Sequence, residues 1–183
     1  IIIRLYYKFF ILVIYMSKSN NIVSKIVNAR DDYTINSPEK LLEFIKVNLT
    51  PNEKERKENG EVFTPMWLVN EMLDKLPSKV WSDKNCKWLD PAVGIGNFPI
   101  EIYLRLMEGL KKIIIDKSER RRHILENMIY MIDINDKNIN ILKKIFCGNK
   151  YNLNIYKGSF FGKNKDGSDN YTIPGSWIKI FRT

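Results

Sequence analysis

The spacing of apolar positions changes along the chain, and the changes mark out the elements. Ser37-Pro38 is a helix-opening pair, with serine placed to cap and proline in the first turn. The residues that follow it, Leu41, Leu42, Ile45 and Leu49, recur at helical spacing. Thr64-Pro65 is a second such pair, followed by Leu68, Val69, Met72, Leu73 and Leu76. Lys87-Trp88-Leu89-Asp90 reads as a short strand running into a glycine-containing turn. From Asn97 to about Lys112 the period is helical again, with Phe98, Ile102, Leu106 and Leu110 on one face. Ser118 to Asn127 predicts a second, basic helix. Met128 to Asp133 is a continuous apolar run ending in a carboxylate, the pattern of a strand buried on both faces of a parallel sheet. Asp136 to Phe146 predicts a helix through Ile139, Leu142, Ile145 and Phe146, and Asn152 to Tyr156 a third strand ended by Gly158.

Strands that alternate with helices imply an α/β fold with a parallel sheet and right-handed crossovers. Three strands make only part of a doubly wound, Rossmann-like domain, here preceded by N-terminal helices. Residues 1–15 are apolar but carry Arg4 and Lys8 and precede Met16 directly. They are shorter than the roughly 20 residues of a membrane span and lack a signal-peptide cleavage site. They read as sequence translated from upstream of a start at Met16; a membrane-associating tail and an added strand are the alternatives. Residues 16–59 form a helical and linker segment, polar over 16–36 and densely charged over 51–60, and residues 60–183 form the domain proper.

Composition narrows the class. Of 183 residues, 44% are hydrophobic and 28% charged, which suits a soluble globular protein. Two cysteines, Cys86 and Cys147, are too few for a disulfide framework and fit the reducing cytoplasm. The net charge of +9 is concentrated late: residues 101–183 hold 16 basic and 9 acidic side chains, against 7 and 8 in residues 51–100. Such a bias suits a polyanionic partner, although Lys-, Asn- and Ile-rich composition alone also produces it.

The candidate chemistry lies at Asp90-Pro91-Ala92-Val93-Gly94-Ile95-Gly96-Asn97-Phe98, between a strand and a helix. Two glycines let the backbone turn sharply and approach a ligand. The amides that open the next helix add positive potential. Asp90, at the carboxyl end of the strand, can face a cation. A dinucleotide would call for Gly-x-Gly-x-x-Gly, and Pro99 stands where the third glycine would be. A ligand that carries an ammonium and a sulfonium in place of phosphates fits the aspartate better.

This stretch resembles the cofactor loop of adenine-specific DNA methyltransferases, whose usual form is Asp-Pro-Ala-Cys-Gly-Ser-Gly-Asn-Phe; Val93 and Ile95 depart from it and leave both glycines in place. Gly60-Glu61-Val62-Phe63-Thr64-Pro65 resembles the family's second cofactor element, which lies upstream of the loop in the branch that includes type I modification subunits and type II restriction-modification enzymes. The resemblance implies an S-adenosylmethionine-dependent methyltransferase fold, with residues 60–183 as its cofactor-binding half. It implies that S-adenosyl-L-methionine is contacted by Phe63, Thr64, Pro65, Asp90, Pro91, Ala92, Gly94, Gly96, Asn97, Phe98, Asp133, Ile134 and Ser159. Asp133 would accept hydrogen bonds from the ribose hydroxyls, its bland alternatives being a cap for the helix from Asp136 or a solvated turn. Ser159 stands where the family often has aspartate against the adenine ring. Phe160 or Phe161 would stack on that ring or pack in the core.

The family's Asn/Asp-Pro-Pro-Tyr/Phe loop, which grips the flipped base, occurs nowhere in residues 1–183. No catalytic residue is therefore named, and the chain alone is expected to be inactive and poorly soluble, with its first strand an exposed edge. Trp177 to Phe181 is expected to begin the fourth strand. Double-stranded DNA is the expected partner of the complete protein, together with a partner subunit or a C-terminal half; no metal and no membrane are expected. A non-catalytic or split subunit, and a methyltransferase for another substrate, are the competing readings. His123, alone of its type, is expected on a solvated helix face. Arg120 to Arg122 are expected at the surface, Trp67, Trp81 and Trp88 in the core, and Asp166 and Asp169 in a polar turn.

Overall fold

A computed structural model describes residues 34–37, 40, 41, 43, 64–163, 169–171 and 173–181. The expectations for residues 1–15, for Pro38, Leu42, Ile45 and Leu49, for the charged stretch 51–60, for Gly60 to Phe63 and for Asp166 lie outside them.

A three-stranded parallel sheet organises the chain. Strand β1 is Trp88–Asp90, β2 is Ile129–Asp133 and β3 is Asn154–Lys157. The order is β1-β2-β3, with Leu89 opposite Tyr130 and Met131 opposite Ile155. The third strand starts two residues later than its apolar pattern predicts, because Asn154 Nδ2 donates to the carbonyls of Glu126 and Ile129 and so pins the strand's start beside β2.

Helix α1 is Met66–Asp74, α2 is Asn97–Gly109, α3 is Lys117–His123 and α4 is Asp136–Ile145. Helices α2 and α4 sit in the crossovers on one face of the sheet. Successive crossovers of one hand in one direction require this placement. Side chains alternate across β2 with a period of two. Ile129 and Met131 join the main core with Ile100, Tyr103 and Leu106 of α2 and Ile139, Leu142 and Ile145 of α4. Tyr130 and Ile132 point the other way, into a second cluster with Leu89, Tyr156 and Trp177.

That second face carries a correction. Trp177 to Phe181 does not extend the sheet: Gly175–Trp177 forms a 3₁₀ turn that runs into the short helix α5, Ile178–Phe181. Trp177, Ile180 and Phe181 stand at helical spacing and cover the sheet, with Trp177 and Phe181 each edge-on to Tyr130 at 5.1 Å. Among the described residues the remaining strands are a short antiparallel pair, β4 (Phe161–Lys163) and β5 (Asp169–Tyr171), so Asp169 opens a strand where a turn was expected.

Other expectations need revision. Trp67 is 67% exposed, whereas Trp81 and Trp88 stack on each other at 4.7 Å. Thr64 makes no cap: α1 begins after Pro65, whose extended backbone (ψ 148°) holds the cap position without a side-chain bond. The basic helix ends at His123 and widens into a π turn, Ile124–Met128. Arg120 is buried, donating from Nη1 to the carbonyls of Ile114 and Ile115 at 2.6 and 3.2 Å. The end of the loop after α2 thus takes its hydrogen bonds from a charge that the sequence placed in solvent. Arg121 donates to the Tyr103 hydroxyl at 3.0 Å and to Asn36. His123 turns one ring nitrogen to the Lys84 carbonyl at 2.9 Å. Among the described residues no helix is long and apolar enough to cross a membrane.

Candidate functional site

The carboxyl ends of β1, β2 and β3 meet at Asp133. Its Oδ2 accepts from the Gly94 amide at 2.8 Å, across 39 positions of sequence. Its Oδ1 accepts from the Asn135 amide at 2.7 Å and from Asn138 Nδ2 at 3.3 Å. Its own carbonyl accepts from the Gly158 amide at 2.9 Å. One residue therefore ties the glycine loop after β1 to the turn after β3. The helix-cap alternative for Asp133 does not hold, because Asn135 caps α4 by accepting from the Lys137 amide at 2.9 Å. Asp133 instead orders the turn that delivers that cap. Asn135 and Asn138 were missed in the sequence; the signal was the polar run Asp133-Ile134-Asn135-Asp136-Lys137-Asn138, which matches side-chain bonding to nearby backbone.

The loop itself is built stepwise. Asp90 Oδ1 accepts from the Ala92 amide at 3.2 Å, which turns the chain away from the strand. Val93 then bonds the Ile132 carbonyl at 3.0 Å, and Gly96 bonds back to Val93 at 3.0 Å. The two glycines serve different ends. Gly94 has φ +56° and nothing within 4 Å of where a Cβ would stand. Gly96 has φ +98°, and a Cβ there would lie 2.8 Å from Leu142 Cδ2 on α4. Both are required by conformation; Gly96 is required by packing as well, while Gly94 leaves open space above the loop.

Two carboxyls sit within this frame, both buried. Burial pushes Asp90 up to about 7; the Ala92 amide opposes that rise, and the neighbouring Asp133 adds to it. Burial also raises Asp133, against the amides of Asn135 and Gly94 that stabilise its charge. Desolvation disfavours a charged form, and a second carboxyl nearby disfavours it further. A ligand cation reaching this corner would reverse both effects.

The other predicted contacts distribute as follows. Thr64 meets the loop through Asn97, whose Nδ2 donates to the Thr64 carbonyl at 2.8 Å. Asn97 is buried, and its Oδ1 has no hydrogen-bond partner among the described residues. An unpaired buried acceptor costs about 1–3 kcal/mol, so the one bond this side chain makes holds it against a penalty. Pro91 is half-buried, Ala92 is exposed, and Phe98 packs against the main core. Ile134 is 72% exposed just beyond Asp133, and Ser159 is exposed just beyond Gly158. Phe160 packs against the second cluster, on the sheet's other face. Phe63 lies outside the described residues. The structure thus brings Asp90, Gly94, Asp133 and Gly158 to one end of the sheet, with Thr64 tethered beside them. Among the described residues no group of three His, Cys, Asp or Glu side chains could hold a metal ion.

No protein-family model matches the chain. Over 79 residues it is 44% identical to a Mycoplasma pneumoniae protein named "Uncharacterized adenine-specific methylase". The match covers 42% of this chain and 19% of the relative, so the chain spans about a fifth of the length of the curated protein it resembles. The similarity supports a methyltransferase family for this chain.

Proposed function

We propose that this chain is the cofactor-binding part of an S-adenosyl-L-methionine-dependent, site-specific DNA adenine N6-methyltransferase. The observation that carries the reading is the 2.8 Å bond from the Gly94 amide to the Asp133 carboxylate, which folds an open glycine loop over the ends of parallel strands. Ligands of open α/β sheets lie outside the carboxyl ends of the strands, and the chemistry of Asp90 to Phe98 described above selects among those ligands.

The residues present fit that cofactor. Two buried carboxyls suit a cationic ligand, and the space over Gly94 admits one closely. The cofactor supplies a methyl group on a sulfonium when bound. Asp133, with its lone pairs only partly used, would accept ribose hydroxyls. Asp90 would hold negative charge toward the ammonium end, losing its proton as the cation arrives. Ile134 would offer an apolar side to the nucleobase, and Ser159 a neutral hydrogen-bonding group. Thr64-Pro65 would close the methionine end. Residues 1–183 hold no Asn/Asp-Pro-Pro-Tyr/Phe sequence, so methyl transfer to a base would call on residues beyond these. Double-stranded DNA is the proposed partner of the complete protein, in keeping with the +9 charge.

Calorimetric titration of the chain with S-adenosylmethionine, alongside Gly94→Val, tests the reading. Binding by wild type and its loss in the variant is the expected result. Equal affinities would remove the loop from the argument. A second reading, a split subunit, is favoured by one observation: among the described residues β1 pairs with β2 alone and its outer edge has no strand. Co-purification with a chain that carries the missing tetrapeptide would select it.

A further inference from the structure

We infer that Asn97 is a positioning residue, whose side-chain amide holds the Thr64-Pro65 segment against the glycine loop so that the two halves of the cofactor site assemble together. The inference rests on the reading above for what the site binds, and not for the anchor itself. Asn97 is the first residue of α2 and is 7% exposed. Its Nδ2 reaches the Thr64 carbonyl at 2.8 Å across 33 positions of sequence. That carbonyl lies ahead of α1, whose first bonds run from Leu68 and Val69 to the Pro65 carbonyl, so the helix ladder does not use it. Asn97 Oδ1 has no partner among the described residues, so donation to Thr64 is the one hydrogen bond this side chain makes there.

Helix α1 is held separately. Arg105, two turns along α2, donates to Asn70 Oδ1 at 2.9 Å and to Asp74 Oδ1 at 2.7 Å. Loss of the Asn97 amide would therefore free the lead-in to α1 and leave the helix docked. Thr64 stands in the element that resembles the upstream cofactor motif and Asn97 in the loop motif, so their bond joins the two elements read as one site.

The chemistry of the bond supplies a signature. An aspartate at 97 would turn an anionic oxygen toward the Thr64 carbonyl, and two acceptors repel. Once protonated, the same carboxyl has an O–H to donate. Among the described residues, the other charged groups on the elements packed here are Asp90 and Asp133, at the ends of β1 and β2, and Arg105 of α2 with its partners Glu101 on α2 and Asp74 on α1. Wild type measured at each pH therefore serves as the reference.

The experiment follows backbone amide exchange and S-adenosylhomocysteine affinity in the full chain for wild type, Asn97→Asp and Asn97→Leu, at about pH 8 and about pH 5.5, since a buried carboxyl titrates above its ordinary range. Both variants should raise exchange at Leu68 and Val69 by about tenfold at the higher pH, with Met131 of β2 unchanged, and weaken affinity by about tenfold, the scale of one lost hydrogen bond. At the lower pH Asn97→Asp should return toward wild type while Asn97→Leu does not. Asn97→Ser, too short to reach Thr64, replaces a variant that fails to fold. Wild-type exchange at Leu68 and Val69 in all variants would overturn the anchor. Altered exchange with unchanged affinity would overturn its role in the site. Wild-type protein that binds no S-adenosylhomocysteine while the exchange pattern holds would leave the anchor standing and sink the cofactor reading instead.

Discussion

At the residue scale, the proposed function rests on Asp90, Asp133 and the glycines between them. Gly94 and Gly96 both have positive φ, yet their substitutions should diverge. Gly94→Ala places a methyl in open space and should cost only the backbone strain, about 1–2 kcal/mol, while reducing ligand affinity. Gly96→Ala adds a contact 2.8 Å from Leu142 to the same kind of strain, and overpacking costs a further ~1–3 kcal/mol. Urea denaturation should show the larger drop for Gly96→Ala, and titration the larger affinity loss, relative to stability, for Gly94→Ala. Asp90 makes a prediction in pH. Its folded-state value, about 7, lies above its ordinary value of 3.8. The folded protein therefore binds that proton more tightly than the unfolded chain does. The stability this contributes is fully present below about pH 4 and is lost as pH rises through about 7. Asp90→Asn should leave thermal stability nearly unchanged at low pH and raise it by a few kcal/mol above neutrality. A variant whose melting temperature follows wild type at every pH would contradict the assignment.

At the element scale, the second face of the sheet depends on a short helix. Trp177 is 9% exposed and lies edge-on to Tyr130 at 5.1 Å and to Tyr156 at 6.4 Å. Trp177→Ala should lower unfolding stability by about 3 kcal/mol, near the bottom of the range for a large aromatic. It should also uncover Leu89, Tyr130 and Ile132, detectable as increased binding of an apolar dye. Unchanged stability would mean that the sheet does not need this cover. The strand expected here fails for a physical reason. Trp177, Ile178, Ile180 and Phe181 fit a strand's period poorly and a helix's i, i+3, i+4 face well, but so short an apolar run does not choose by itself. Pro174, holding the cap position before Gly175, and the waiting aromatic surface of Tyr130 and Tyr156 choose the helix.

At the scale of the whole molecule, three parallel strands leave β1 with one neighbour among the described residues. An unpaired edge templates further pairing, so the chain should self-associate with rising concentration, measurable by sedimentation. A monomer at every concentration would show that the edge is covered. Much of this architecture was legible beforehand. Met128 to Asp133 announced a strand buried on both faces, the helical periods located α2 and α4, and the glycine loop stood out because few residue types can make its turn. These features follow from local rules: side-chain period, backbone freedom and the placing of a carboxylate at a strand end. What local rules could not reach was partnership. That Arg120 would be buried against two carbonyls, that Trp67 would face solvent, that Asn97 would reach back to Thr64, and that Asp133 would grip Gly94 across 39 positions all depend on which elements become neighbours. The chain's own pattern determined its three parallel strands, the helices α2 and α4 and the glycine loop. Only packing decided which polar groups meet, because a hydrogen bond between distant residues is specified by where the core places them and not by their spacing in sequence.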